Sequence, residues 1–342
     1  MKSIAIGVAL TLAVGIVVGT ARAEADDVAD FYNGKTVKLV VGSGVGAGYD
    51  NFARATVRYL RLPGNPQIVV QNMPGASGLI AANHLFNVAP KDGTVIGLIN
   101  RYTVVQAIVD NKNVRFDPPK FTWLGTPASY DEDPYVLIVR SDHPLKTVED
   151  IRAAKEPLIV GGSGSDVARI LGPALGMNVK VIEYKEKNAV DIALDRGEVD
   201  AMGIAYDNLR KRHPDWLEKK MVRPLVQFVR NRTARLPDVA ASSELVSRPE
   251  QRALLNFVEI PLSMAYPFVV PPGVPAERVA AIKKAFEVAF NDPAYRAEIE
   301  KQGLAYSPRS GEEVANLVKE LTEAPETAIQ SYRTAVGAGR GD

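Results

Sequence analysis

The residues of this chain best placed to do chemistry are glycines. Three Gly-rich loops each follow a short apolar run and open a helical pattern: Gly42-Ser-Gly-Val-Gly-Ala-Gly-Tyr-Asp50, Asn72-Met-Pro-Gly-Ala-Ser-Gly78 and Gly161-Gly-Ser-Gly-Ser-Asp166. Glycine lets the backbone turn tightly and approach a ligand, and the free N–H groups of the following helix start attract an anion. Each loop alone would serve equally well as a tight strand–helix turn; three with one placement point to an anion site. The sharper enzymatic patterns fail. Ala47 breaks G-x-G-x-x-G from Gly42, and no acidic residue ends the next strand near Gln71. Gly34-Lys35-Thr36 mimics the end of a phosphate loop, but it precedes its strand and position 29 is Ala29. Neither Ser77 nor Ser163 sits in G-x-S-x-G. His84, His143 and His213 form no H-E-x-x-H, and the chain has no cysteine, so clustered metal donors, thiolate chemistry and disulfides are absent from the pattern. The residues argue for binding without a metal or cofactor, and not for catalysis.

Among side chains, Arg101 is the sharpest candidate. It follows a strand end, and a guanidinium can hold a carboxylate through two parallel hydrogen bonds. The alternative is a surface arginine paired with Asp131 or Asp133. Asp50 reads as a helix cap rather than a ligand contact, because it would repel a carboxylate. Tyr49, Tyr102 and Tyr206 suit either a cleft lining or packing within a lobe. Arg210-Lys-Arg-His213 reads as a solvated face.

The elements that must position these residues alternate. Val37–Val41, Ile68–Val70, Val95–Ile99, Val136–Val139, Leu158–Val160, Val179–Ile182, Ala201–Ile204 and Phe268–Val270 are short Val/Ile/Leu-rich runs, suited to parallel strands covered on both faces. Helix starts lie between them: Asp50 ahead of Asn51–Arg61, capping boxes at Thr147–Asp150 and Ser310–Glu313, and Pro275 opening Ala276–Phe290. This is an α/β pattern. Two Pro-rich stretches, Phe116–Pro134 and Pro261–Pro275, interrupt it and leave three blocks, as expected when a chain crosses twice between two lobes. The expected division is a signal peptide over 1–23, a first lobe over 24–127 plus 263–342, and a second lobe over 128–262.

The signal peptide follows from Lys2, the apolar run Ile4–Gly19 and the A-x-A site Ala21-Arg-Ala23. With no cysteine after the run, a lipid anchor is excluded. The 41 basic and 40 acidic residues become 39 and 40 once Lys2 and Arg22 are removed. A near-neutral chain offers no footprint for nucleic acid or an anionic membrane. A soluble, exported, periplasmic monomer is expected.

In order along the chain, several segments resemble one family, the solute-binding proteins of tripartite tricarboxylate transporters (Bug or TctC type). Asn72-Met-Pro-Gly-Ala-Ser-Gly-Leu-Ile-Ala81 is similar to N-R-P-G-A-G-G-x-I-G. Tyr184-Lys185 with Gly197-Glu-Val-Asp200 is similar to P-Y-K-G…G-x-V-D. Leu236-Pro-Asp-Val239 with Glu244 resembles L-P-D-V-P-T-x-x-E, and Pro272-Gly-Val-Pro275 with Asn291-Asp-Pro293 resembles A-G-T-P…x-D-P. Asp50, Ala53 and Arg54 match P-G-G-G-T-D-x-x-A-R, whereas Tyr49 stands where the family has Thr, and Arg101 lies in a loop that is usually small and polar.

The resemblance implies a type II periplasmic binding fold, two doubly wound lobes joined by two crossovers. Carried over by position, the backbone of Gly46, Ala47, Gly48, Tyr49 and Asp50, with that of Ala76, Ser77 and Gly78, would grip one carboxylate. Ser163, Gly164, Ser165 and Asp166, with Tyr206 and Asp207, would face it across the cleft; Arg101 and Tyr102 complete the candidate set. The implied function is a receptor that closes on a small organic acid and delivers it to the permease subunits of a tripartite transporter. The rivals are a ligand-sensing partner of a sensor kinase and an exported α/β hydrolase or isomerase. Dicarboxylates, aromatic acids and amino acids remain open as ligands.

Overall fold

The computed structural model describes residues 27–109, 112–131, 133–163, 166–184 and 186–337. The expected signal peptide therefore lies outside the described residues. The strands fall into two six-stranded sheets. The first holds β1 (Thr36–Val41), β2 (Gln67–Asn72), β3 (Val95–Leu98), β4 (Thr122–Thr126), β11 (Phe268–Val270) and β12 (Arg309–Ser310), in the order β12-β4-β11-β3-β1-β2. The second holds β5 (Tyr135–Arg140), β6 (Leu158–Gly162), β7 (Val179–Glu183), β8 (Ala201–Ala205), β9 (Val222–Phe228) and β10 (Ala240–Ala241), in the order β10-β9-β5-β8-β6-β7.

The two orders repeat one plan. A parallel trio (β2-β1-β3, then β7-β6-β8) is joined by the strand that enters directly after a crossover, and that strand runs antiparallel to both neighbours. The eight apolar runs are all strands, but the sheets are mixed and not every run is covered on both faces. β2 and β7 are edge strands without a fully buried residue, and exposure alternates along β2, as in a strand with one solvated face. β4 and β9 were not anticipated. β4 lies inside the Pro-rich interruption, where Pro118 and Pro119 shape a short turn and Thr122-Trp-Leu-Gly-Thr126 is buried directly after it. β9 carries Pro224, and its pairing with β5 shifts register beside that residue.

Local capping explains several helix starts. Thr147 Oγ1 accepts from the Asp150 N–H at 3.0 Å while Asp150 Oδ2 accepts from the Thr147 N–H at 2.9 Å. Ser310 and Glu313 form the same reciprocal pair at 3.2 and 2.8 Å, and the helix Ala276–Phe290 begins directly after Pro275. Asp50 is a correction. The helix spans Gly48–Tyr59 with Ala47 at its N-cap, so Asp50 sits within the first turn. It reaches back to the Gly46 N–H at 2.8 Å instead of capping the helix itself.

The chain passes from the first sheet to the second between Thr126 and Tyr135, and returns between Ala241 and Phe268. The two crossovers are stitched together: Tyr130 N–H donates to Leu262 O at 3.1 Å, Ala265 N–H to Ala128 O at 3.1 Å, and Ser263 Oγ to Asp131 Oδ1 at 2.8 Å. The last helix, Glu326–Val336, packs on the helices Asp166–Leu175 and Pro249–Ser263, with the Phe257 and Tyr332 rings 5.2 Å apart. No helix among the described residues is long and apolar enough to cross a membrane.

Candidate functional site

The strand ends of the first sheet converge on one point. Gly42, directly after β1, lies so close to the second glycine loop that a Cβ placed on it would stand 3.4 Å from Gly78 Cα. A Cβ on Gly78 would in turn stand 2.9 Å from Asn100 Cβ, just past β3. The second loop holds Ala76, Ser77 and Gly78 at φ 46°, 53° and 93°, a left-handed run that alanine and serine rarely adopt. Such strain persists only where surrounding structure imposes it, and it concentrates at ligand sites.

Asp50 fastens the first loop to this frame. Besides Gly46 N–H, its carboxylate accepts from Arg54 Nε at 2.9 Å and Asn72 Nδ2 at 2.9 Å, and Asn72 also donates to Ser43 O at 3.0 Å. Burial opposes the Asp50 charge, but these donors outweigh it and hold the carboxyl below its ordinary value.

Arg101 stands at the centre of the site. Its Nη1 donates to Ala265 O at 3.2 Å, while its Nε is buried with no hydrogen-bond partner. The guanidinium lies 4.9 Å from the Tyr102 ring centre and 5.4 Å from that of Tyr130. No carboxylate pairs with it among the described residues. The sequence left open a surface pairing with Asp131 or Asp133. Asp131 instead pairs with Arg309 and Ser263, and Asp133 Oδ1 accepts from the Asp207 N–H at 2.8 Å. Arginine keeps its charge at all physiological pH. A largely buried cation held on aromatic faces without an acid is suited to receive an anion.

A cavity of about 140 Å³ opens beside Arg101, room for a small molecule. The first sheet contributes Arg101 and Tyr102, and the first crossover leads through Tyr130 to Tyr135. The second sheet and its helices add apolar lining residues, among them Ala168, Val190, Met202, Ile204 and Ala205. Its polar lining residues are Ser163, Asn208 and Arg212, the last two one helical turn apart. Of the residues nominated from sequence, the cavity brings together Arg101, Tyr102 and Ser163. Gly46, Ala47, Gly48, Asp50, Ala76, Ser77 and Gly78 lie at the strand ends of the same sheet but outside this lining. Gly164, Ser165 and the side chain of Asp166 fall outside the described residues.

Three nominated residues support the site at one remove. The Tyr49 hydroxyl donates to Ala265 O at 3.1 Å and accepts from the Arg101 N–H at 3.2 Å, so it braces the Arg101 loop. Tyr206 packs into the second lobe's core. Asp207 pairs with Lys211, whose Nζ also donates to Gly303 O at 2.8 Å in the segment preceding β12. The basic run at Arg210–His213 is therefore not a uniform solvated face. Lys211 ties the two halves together, and Arg212 borders the cavity while paired with Asp191. Sequence reasoning missed Tyr130, Tyr135, Asn208 and Arg212. Aromatic residues flanking Pro134 in a crossover, and the i, i+4 spacing of the last two, were the available signals.

This frame of two α/β sheets joined by two crossovers is that of a type II periplasmic binding protein. A family model described as the tripartite tricarboxylate transporter family receptor, TctC, matches residues 59–333, and the chain belongs to that family. Solved structures share the fold. A TctC solute binding protein from Polaromonas superposes with a TM-score of 0.67 at 20% identity, covering 90% of this chain and 99% of that one. MatC from Rhodopseudomonas palustris, with bound malate, gives 0.57 at 21% identity, covering 86% and 99%. A second R. palustris protein, with adipate, gives 0.60 at 21%, covering 87% and 97%. The chain is a solute-binding protein of this family and not an enzyme.

Proposed function

We propose that this chain is an exported periplasmic receptor that closes its two lobes on a small organic carboxylate and delivers it to the permease subunits of a tripartite tricarboxylate-type transporter. One observation carries the ligand class: Arg101, largely buried between the lobes and bordering the cavity, has no acidic partner among the described residues. A carboxylate supplies the missing charge. The malate and adipate held by two proteins of the same fold agree with that class.

In this reading lobe 1 comprises 24–127 plus 263–342, and lobe 2 comprises 128–262. Gly48–Asp50 and Ala76–Ser77 offer backbone N–H groups to the ligand, those of Gly46, Ala47 and Gly78 being bonded within their own loops, and Ser163 with Tyr206 and Asp207 approaches from the other side. Closure bends the crossovers, and the ligand shifts the population toward the closed state by binding it better. Cleavage after Ala23 releases the mature chain beginning at Glu24.

A thermal-shift screen of the mature chain against organic acids, followed by calorimetry, tests the reading. Arg101→Ala is expected to weaken the acid that binds by about 2–5 kcal/mol, part of it the cost of leaving the ligand charge unpaired. Affinity unchanged in the folded variant would remove Arg101 from the site.

A further inference from the structure

The cavity's charge and surface point to more than a carboxylate. Its lining includes two cations among the described residues, Arg101 and Arg212, and no acid. Arg212 is already neutralised: its Nη2 donates to Asp191, a buried carboxylate, and to Asn188 Oδ1 at 2.9 Å. One uncompensated positive charge remains, on Arg101. A dianion would bring a second carboxylate into a wall where every described cation other than Arg101 is paired, and a buried unpaired charge is costly.

The remaining surface is aromatic and apolar. Tyr102, Tyr130 and Tyr135 stand on the Arg101 side, with the Tyr130 and Tyr135 rings edge to face at 6.4 Å. Gly203 on β8 makes room for this arrangement, since a Cβ there would stand 2.9 Å from Tyr135 Cε1. Ala205 pairs with Tyr135 on the same face of the second sheet and Ala168 adds to the lining, whereas Met202 and Ile204 turn to the other face with Val190. A flat ring enters among the tyrosine rings and small alanine side chains, and ring–ring contacts add to the area it buries.

Building on the carboxylate reading above, we propose that the ligand is an aromatic monocarboxylate, its carboxylate on Arg101 and its ring among Tyr102, Tyr130 and Tyr135 beside Ala205. The second lobe therefore selects the body of the acid while the first selects its charge. Ser163 and Asn208 lie on the second-lobe side, where a hydroxyl on the ring finds donors and acceptors.

Calorimetry on the full mature chain with benzoate, 4-hydroxybenzoate, benzamide, succinate, malate and adipate decides the matter. The aromatic acids are expected to bind at least about tenfold more tightly than the aliphatic dicarboxylates. Benzamide, with the ring but no charge, is expected to bind more weakly than benzoate. Tyr135→Ala should erase the preference for the ring, whereas Arg101→Ala should weaken aromatic and aliphatic acids alike. Tighter binding of succinate, malate or adipate than of both aromatic acids overturns the proposal and leaves the carboxylate reading standing. Benzamide binding as well as benzoate overturns the role of charge. Failure of every acid to bind overturns the carboxylate reading, and this proposal with it.

Discussion

The loops that leave the parallel trio of the first sheet and those that leave the trio of the second occupy matching places in one strand order, yet their glycines are needed for different reasons. After β1 and β2, backbone meets backbone: Gly42 approaches Gly78 Cα, and Gly78 sits at φ 93° against Asn100. After β6, side chains fill the space. A Cβ on Gly161 would stand 2.6 Å from Val190 Cγ1, and one on Gly162 would stand 2.9 Å from Glu183 Oε1. Side chains can rotate away and a left-handed backbone cannot, so the first lobe is the rigid half of the site. In the proposed reading it contributes fixed polarity and one charge, and the second lobe contributes shape.

The sharpest way to break this comparison is to add bulk to both loops. Gly78→Val must abandon φ 93° or collide with Asn100, and a loss of about 2–4 kcal/mol of stability is expected. Gly161→Ala overpacks against Val190, and about 1–2 kcal/mol is expected. Urea denaturation of both variants checks the ranking; equal losses would mean that the second loop is as rigid as the first.

Buried acids extend the comparison. In the first lobe Asp50 has strong donors and is held below its ordinary value, whereas in the second Glu259 is hydrogen-bonded to the Ser242 hydroxyl, and burial pushes it up to about 7. A raised acid contributes stability that is fully present below its unfolded value and is lost as pH rises through the folded one. Glu259→Gln should therefore match the parent near pH 4 and exceed it by about 2–3 kcal/mol at pH 8. Asp50→Asn should show the opposite sign, costing stability at pH 7 and converging with the parent as pH falls below the carboxylate range. Melting curves of the three proteins across pH would expose a variant whose difference from the parent does not change with pH.

The smallest expected effect is a control on which the lobes should agree. The capping boxes at Thr147 and Ser310 are local and nearly identical in geometry. Thr147→Ala and Ser310→Ala should each cost about 1 kcal/mol. A much larger loss for one would show that its helix start carries a tertiary contact as well as a cap.

These contrasts separate what short-range information determined from what it could not. The sequence by itself marked eight strands, both capping boxes, the crossover regions and the family motifs, because alternation of apolar runs with helix starts is set by neighbours a few residues apart. It missed β4, since the prolines around Phe121–Thr126 mask a strand whose burial comes from the helix Gly311–Thr322, far along the chain. It also placed Asp50 at a cap, where the backbone turn at Gly46 starts the helix earlier and turns the carboxylate back on its own loop. Only the tertiary structure decided the environment of Arg101. Its partner Ala265 lies 164 positions away, and the aromatic faces it rests on include Tyr130 from a crossover. Whether a cation is left without an acid depends on every segment packed around it, and no spacing along the chain encodes that.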